Sequence, residues 1–355
     1  MSDLITIPVK TDFPYTVTVG SGILKGIGNL LSPSIAPCRA AIITDSNVAP
    51  LYLDTVVQSL SSAGIQASTH VFPAGEQNKN IETWSGMLEF LAESGLTRRD
   101  CVFALGGGVT GDMAGFAAGC YLRGIRFIQL PTTLLSAVDS SVGGKTGVDL
   151  KAGKNLAGLF VQPSAVVCDT DCLKTLSDEL FSDGLAEAIK TGILFDPELF
   201  EMCRNARATA NITSIIAKCV EHKAQIVLED EFEKGPRKLL NLGHTPAHAI
   251  EKCSGYSISH GSAVAIGTVM MARASEKLGI ARPGLCAEIT EMFRSNSLPV
   301  STDIDPAKLA AAALYDKKRL GSRITVVFPK DIGKCVLENF PVSGLEELFR
   351  AGSEV

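Results

Sequence analysis

The stretch Asn241 to Gly261, NLGHTPAHAIEKCSGYSISHG, holds three of the chain's five histidines. With Gly243 to Lys252 helical, His244 and His248 stand one turn apart on a face that continues to Glu251. Running the same period backwards brings Asn241 and Arg237 onto this stripe, while Ala247, Ala249 and Ile250 point elsewhere. His260 returns after a short break, directly ahead of the apolar run Ala263 to Met271. Imidazoles on such a stripe fit a divalent cation, but two of them need a carboxylate or a third imidazole to hold it with one position open. A histidine on a helix more often only satisfies its surroundings, and this pair lacks the flanking glutamate of a metalloprotease helix. Scarcity favours the ligand role, since only His70 and His222 lie outside this window.

A second chemical feature is Gly106 to Asp112, GGGVTGD, which follows the apolar run CVFAL and opens a helix. Glycines let a backbone approach a pyrophosphate, and the free N–H groups of a helix start bind it without any side chain. Gly106, Gly108 and Gly111 match GxGxxG, but a dinucleotide fingerprint also needs an acid about 20 residues on. Met113 to Val138 contains no Asp or Glu, so the ribose acid falls to Asp45 or Glu76. A turn that serves only close helix packing is the competing reading. Residues 131 to 155, PTTLLSAVDSSVGGKTGVDLKAGKN, read as polar loops whose Lys145 and Lys154 face either phosphate or water. In GLAEAIKTGILF, Gly184 to Phe195, one helical face carries Glu187, Lys190 and Thr191. Glu and Lys at that spacing ordinarily form an ion pair, yet Glu187 also competes for the place of the missing third ligand.

The elements that must position these residues change character midway. Ile5 to Val19 alternates as edge strands or a hairpin, and strands at Ala40–Thr44, Ser68–Phe72, Cys101–Leu105, Ile125–Leu130 and Ala165–Cys168 then alternate with helices at Val48–Ala63, Trp84–Glu93 and Ala114–Tyr121. That alternation makes a parallel sheet. Past Asp171 the texture is helical, ending in a hairpin of Ile324–Phe328 with Cys335–Glu338 and a terminal helix. The expectation is an α/β domain over 1–170 with a parallel sheet and a glycine-rich loop, then a mainly α-helical domain over 171–355. The 355 residues suit two domains with separate cores.

Charged residues are 20% of the chain and the net charge is −5, which argues against nucleic acid or an anionic membrane as partner. Ten cysteines without a CxxC pair, and an N-terminus lacking a signal-like apolar core, read as free thiols in a reducing cytoplasm. No apolar run approaches the roughly 20 residues of a spanning helix.

GGGVTGD, RGIRFIQLPTTLLSAVDSSVGGKT, GKN at 153–155, GLAEAIKTG, LLNLGHTPAHAIE and HGSAVAIG, in this order and spacing, resemble 3-dehydroquinate synthase, a family of the sugar phosphate cyclases. The likeness runs over nearly the whole chain. It implies a metal, zinc or cobalt, on Glu187, His244 and His260. It implies NAD on Asp45, Asn47, Glu76 and Lys79 at the adenosine end, on Gly107, Gly108, Val109, Thr110, Gly111 and Asp112 at the pyrophosphate, and on Thr132, Thr133, Lys145, Lys154, Cys172, Leu173, Lys174 and Thr175. A sugar-phosphate substrate would be met by Lys145, Asn155, Lys223, Arg237, Asn241 and Lys317 or Lys318, with Asp139 and Lys190 orienting the site and Arg123 reaching in from the partner of a homodimer. His248 would belong to the acid–base network. The implied reaction is a transient oxidation by NAD, loss of phosphate, re-reduction and intramolecular aldol closure. Two departures stand in the motifs: GHTPAHAIE lacks the aromatic and the glycine that the family usually has between the histidines, and Pro236 precedes Arg237. Proline suits a first helical turn, so the helix is expected to begin close to His244. The rival readings are another sugar phosphate cyclase and a metal-dependent polyol dehydrogenase; the ring of lysines and arginine favours the former class.

Overall fold

Seven runs in the first half of the chain join into one sheet. The computed structural model describes residues 4–33, 39–204, 206, 211–314, 319–320 and 322–353. In chain order the elements of the first half are β1 (Ile5–Val9), β2 (Tyr15–Gly20), α1 (Ile27–Leu31), β3 (Arg39–Asp45), α2 (Asp54–Ser62), β4 (Gln66–Phe72), α3 (Ile81–Glu93), β5 (Cys101–Gly106), α4 (Gly108–Cys120), β6 (Arg126–Pro131), β7 (Lys145–Leu150), β8 (Gly153–Phe160) and β9 (Ala165–Asp169). The sheet order is β1-β2-β9-β6-β5-β3-β4, parallel throughout except for the β1–β2 hairpin. Alternate residues of each inner strand enter opposite cores: Ile42, Phe103 and Leu105 pack with α1 and α2, while Ile43, Val102 and Ala104 pack with α3 and α4. Both faces are thus covered, as a parallel sheet requires.

The second half supplies α5 (Asp178–Phe195), α6 (Pro197–Met202), α7 (Ile212–Glu229), α8 (His244–Cys253), α9 (His260–Lys277), α10 (Leu285–Ser295), α11 (Pro306–Ala313), a small sheet of β10 (Arg319–Leu320), β11 (Arg323–Asp331) and β12 (Lys334–Pro341), and α12 (Leu345–Ser353). Two compact units result, Met1–Leu176 with Lys223–Leu228, and Ser177–His222 with Glu229–Val355. The first therefore runs on past residue 170, and it also takes in part of α7. No helix among the described residues is long and apolar enough to cross a membrane.

Three local expectations are corrected. Residues 131–155 are not loops alone: Ser136–Ser140 is a wide helical turn, and β7 and β8 form an antiparallel hairpin. Gly147 and Gly158 face each other across that hairpin, and a Cβ on Gly158 would lie 2.0 Å from the Thr146 carbonyl oxygen. These glycines serve close strand approach as well as chain breaks. The helix expected over Val48–Ala63 begins as a wide turn at Ala49–Leu53, where Pro50 cannot donate. Finally, Arg237 and Asn241 do not continue the helix of His244. They lie on a separate 3-10 turn, Pro236–Asn241, and Gly243 between them is left-handed at φ 74°.

Candidate active site

Glu187 lies in the middle of α5, His244 is the first residue of α8, and His260 is the first residue of α9. The two imidazoles turn the same nitrogen inward: His244 Nε2 is 3.8 Å and His260 Nε2 3.4 Å from Glu187 Oε1. One donor atom from each of the three residues lies within 4.8 Å of the others. The outward nitrogens are also engaged, His244 Nδ1 with the Leu242 carbonyl at 3.1 Å and His260 Nδ1 with Glu251 Oε2 at 3.7 Å. Glu187 is 1% exposed, and its Oε2 pairs with the buried ammonium of Lys190. Burial alone lowers the His260 pKa, but the Glu187 and Glu251 carboxylates outweigh it and raise it to about 10. One carboxylate with two imidazoles is a donor set that fits zinc or cobalt with a position left open.

The sequence builds this convergence with small residues. A Cβ on Gly261 would meet the Asp183 carbonyl oxygen at 2.0 Å, and one on Gly267 would meet the Gly243 carbonyl oxygen at 2.2 Å. Helices α5, α8 and α9 therefore approach backbone to backbone beside these three residues. Asp183, one turn before Glu187, accepts from Ser259 Oγ and, at 3.0 Å, from the Ser262 amide, so the start of α9 is tied to the helix that carries the acid. Sequence reading missed Asp183; its i, i+4 spacing to Glu187 was the available signal. It also gave Glu251 a place on the stripe but no task.

In the first unit the strand order reverses between β3 and β5, and the carboxyl ends of those strands carry Asp45 and Gly106. Ligands of open α/β sheets bind at such a switch point. No side chain caps α4 at Gly107, and Thr110 Oγ1 donates to Asp45 Oδ2 at 3.2 Å. The amides of Gly108, Val109 and Thr110 start the helix there. Asp45 Oδ1 also accepts the Asn47 and Val48 amides. Lys79, 4% exposed, donates to Asp112 Oδ2 at 2.6 Å and Asn155 Oδ1 at 2.7 Å, and Lys154 lies 3.5 Å from Glu76. Lys79, Asp112 and Asn155 thus form one hydrogen-bonded group and Glu76 and Lys154 a separate ion pair; the sequence reading put Asn155 with the substrate. Asp149, not singled out in the sequence, accepts the Asn155 amide at 2.7 Å. Thr132 is buried at the end of β6, and Thr133 lies over the glycine loop, within 3.0 Å of where a Gly107 Cβ would be. Cys172 and Thr175 are bound through Tyr52, whose hydroxyl reaches the Cys172 carbonyl and Thr175 Oγ1. Leu173 is buried in the same turn, and the exposed Lys174 pairs with Asp171.

The remaining residues are distributed. Lys223 is 8% exposed and donates to the Asp139 carboxylate at 2.7 Å, which joins two expected site residues directly. Arg237 is buried and donates to the Glu231 carbonyl, and Asn241 Nδ2 donates to Glu233 Oε1 at 2.6 Å. Glu233 is a further residue that the sequence reading passed over. His248 is exposed, its ring edge-on to His244 with centroids 5.5 Å apart. Lys145 is exposed on β7. Arg123 is exposed in a left-handed turn at φ 66°. Lys317 and Lys318 lie outside the described residues.

Fold and site define a class: an α/β unit with a helix start at its switch point that no side chain caps, joined to a helical unit in which one carboxylate and two imidazoles converge. Within that class the sequence is specific. Residues 69–183 match the family model of the 3-dehydroquinate synthase N-terminal region, and 184–319 that of its C-terminal region. The chain is 44% identical to the 3-dehydroquinate synthase of Xanthomonas axonopodis pv. citri, over 90% of this chain and 91% of that one, and 40% identical to that of Streptococcus thermophilus LMD-9, over 94% and 96%. Its fold matches the 2-epi-5-epi-valiolone synthase of Streptomyces hygroscopicus subsp. jinggangensis, solved with NAD+ and Zn2+, at 25% identity and a TM-score of 0.86, covering 95% of this chain and 96% of that one. The chain belongs to the 3-dehydroquinate synthase family.

Proposed function

We propose that this chain converts 3-deoxy-D-arabino-heptulosonate 7-phosphate to 3-dehydroquinate and phosphate, with NAD regenerated in each turnover. The observation that carries the reading is the convergence of Glu187 with the Nε2 atoms of His244 and His260. These three residues would hold zinc or cobalt, and the open start of α4 with Asp45, Asn47, Glu76, Lys79, Asp112, Thr132, Thr133, Lys154 and the turn from Cys172 to Thr175 would hold NAD. When bound, the two groups supply hydride transfer and a Lewis acid at the carbon that is oxidised and later reduced.

The chain's own residues do the rest. His248 exchanges a proton with the reacting hydroxyl at its imidazole. Lys190 pairs with the Glu187 carboxylate and fixes its orientation. Lys145, Asn155, Lys223, Arg237 and Asn241 neutralise and orient the phosphate and carboxylate of the substrate, and Asp139 holds Lys223 in place. Because the leaving phosphate can itself accept a proton, positioning and neutralisation are the main demands on the protein. The chain acts as a homodimer in the cytoplasm, with Arg123 completing the partner's site.

The test is phosphate release from this substrate with catalytic NAD, with and without a chelator, while NADH absorbance is followed. Chelator-sensitive release with dehydroquinate as product and no NADH build-up is expected. A different carbocycle would move the chain to another cyclase activity, and NADH accumulation from a simple polyol would make it a dehydrogenase.

A further inference from the structure

Glu251 is 4% exposed, yet neither phosphate nor nucleotide chemistry needs a carboxylate there. Taking a carboxylate out of water is costly without a positive or donating partner. His260 Nδ1 lies 3.7 Å from Glu251 Oε2, within ion-pair distance. The other nitrogen of the same ring, Nε2, faces Glu187 Oε1 at 3.4 Å. A single imidazole is therefore strung between two buried carboxylates. Its counterpart, His244, has Nδ1 on the Leu242 carbonyl, so each ring is gripped on its outer nitrogen and presents the inner one to the cluster.

The local chain makes this grip specific. Glu251 follows His244 by seven residues on α8, two turns along the same face. The backbone after it is anchored, since the Glu251 carbonyl accepts from the Tyr256 amide at 2.8 Å and from Ser254 Oγ at 3.0 Å. Tyr256 is left-handed at φ 64°, which turns the chain back so that α9 opens on His260. One helix thus carries a ligand and also the acid that holds a second ligand from the next helix.

We infer that Glu251 is a positioning residue of the metal centre: its carboxylate accepts the His260 Nδ1 proton, fixes the tautomer with the Nε2 lone pair turned toward Glu187, and so raises the affinity for a divalent cation. This rests on the metal reading proposed above. Outer partners of ligating histidines characteristically set metal affinity by about 10- to 100-fold.

The experiment measures Zn2+ affinity of the full-length protein by competition with a chromophoric chelator, for wild type, Glu251→Gln, Glu251→Ala and His260→Ala. Visible spectra of the Co2+-loaded forms and thermal unfolding of the metal-free forms are recorded alongside. Glu251→Gln keeps an acceptor but loses the charge, so a loss of about tenfold is expected, with Glu251→Ala nearer 100-fold and an altered Co2+ spectrum. His260→Ala, which removes a direct ligand, should lose more than either. Affinities of both Glu251 variants within twofold of wild type, with unchanged Co2+ spectra, overturn the inference, whatever the thermal midpoints do. If Glu251→Ala does not fold, Glu251→Gln alone decides by the same criterion. A wild type that binds no Zn2+ defeats the metal reading itself, an outcome distinct from a wild type that binds while the variants bind equally well.

Discussion

At the scale of single residues the site depends on charges that cannot be left alone. Glu187→Gln removes the one buried carboxylate among the three donor residues, and His260→Ala removes one of the two imidazoles. Both variants should lose divalent-metal binding and turnover while NAD titration, followed by fluorescence, stays within about twofold of wild type, because the glycine loop lies in the other unit. Lys79→Met should act in the opposite sense. It leaves Asp112 without its 2.6 Å partner, and breaking a buried pair costs about 3 to 5 kcal/mol, so urea unfolding should shift markedly and NAD affinity should fall. Residue types were readable in part at this scale: His244 and His260 stand out by kind and scarcity, whereas Glu187 does not. The bond from Lys79 to Asn155 was not readable, since it goes to a residue whose backbone is left-handed at φ 53°.

At the scale of elements, helix ends and helix crossings carry the geometry. Gly267→Ala would push a methyl into the Gly243 carbonyl where α8 crosses α9; a cost of about 1 to 3 kcal/mol and a weakened Zn2+ affinity are expected, read by chemical unfolding and chelator competition. Asp196 closes α5, caps α6 through the Glu198 and Leu199 amides, and binds Lys218 and His222 of α7 at 3.0 and 3.1 Å. Burial raises its pKa, but the His222, Leu199 and Lys218 hydrogen bonds outweigh this and hold the carboxyl well below the usual carboxylate range. A depressed folded-state pKa stabilises at pH values above the unfolded value, near 4, and the contribution disappears as pH falls toward the folded value. Asp196→Asn should therefore be less stable than wild type by about 1 kcal/mol at pH 7, with the gap closing below pH ~4 in unfolding titrations. The helix of His244 was legible from its period, and its start from Pro246 in the first turn, whereas the separate 3-10 turn that carries Arg237 and Asn241 was not.

At the scale of the whole molecule the proposal that Arg123 serves a partner's site can be separated from action within its own chain. Arg123→Ala and Glu187→Gln proteins should each be inactive. Mixed and allowed to exchange subunits, they should regain about a quarter of wild-type activity, because half the dimers are mixed and each has one intact site. No recovery after demonstrated exchange would place Arg123 in its own subunit's site or in none.

The sequence by itself determined the sheet, the helical second half and the family, because strand and helix periods, glycine punctuation and six spaced motifs are local properties of the chain. It also named the three donor residues, with Glu187 distinguished from an ordinary ion-pair glutamate only through the family resemblance. Tertiary structure decided what holds them. Glu251 behind His260, Asp183 at the start of α9, and the backbone contacts at Gly243, Gly261 and Gly267 join residues on different helices. No period along the chain encodes which helices cross, so those partners emerge only when the helices pack.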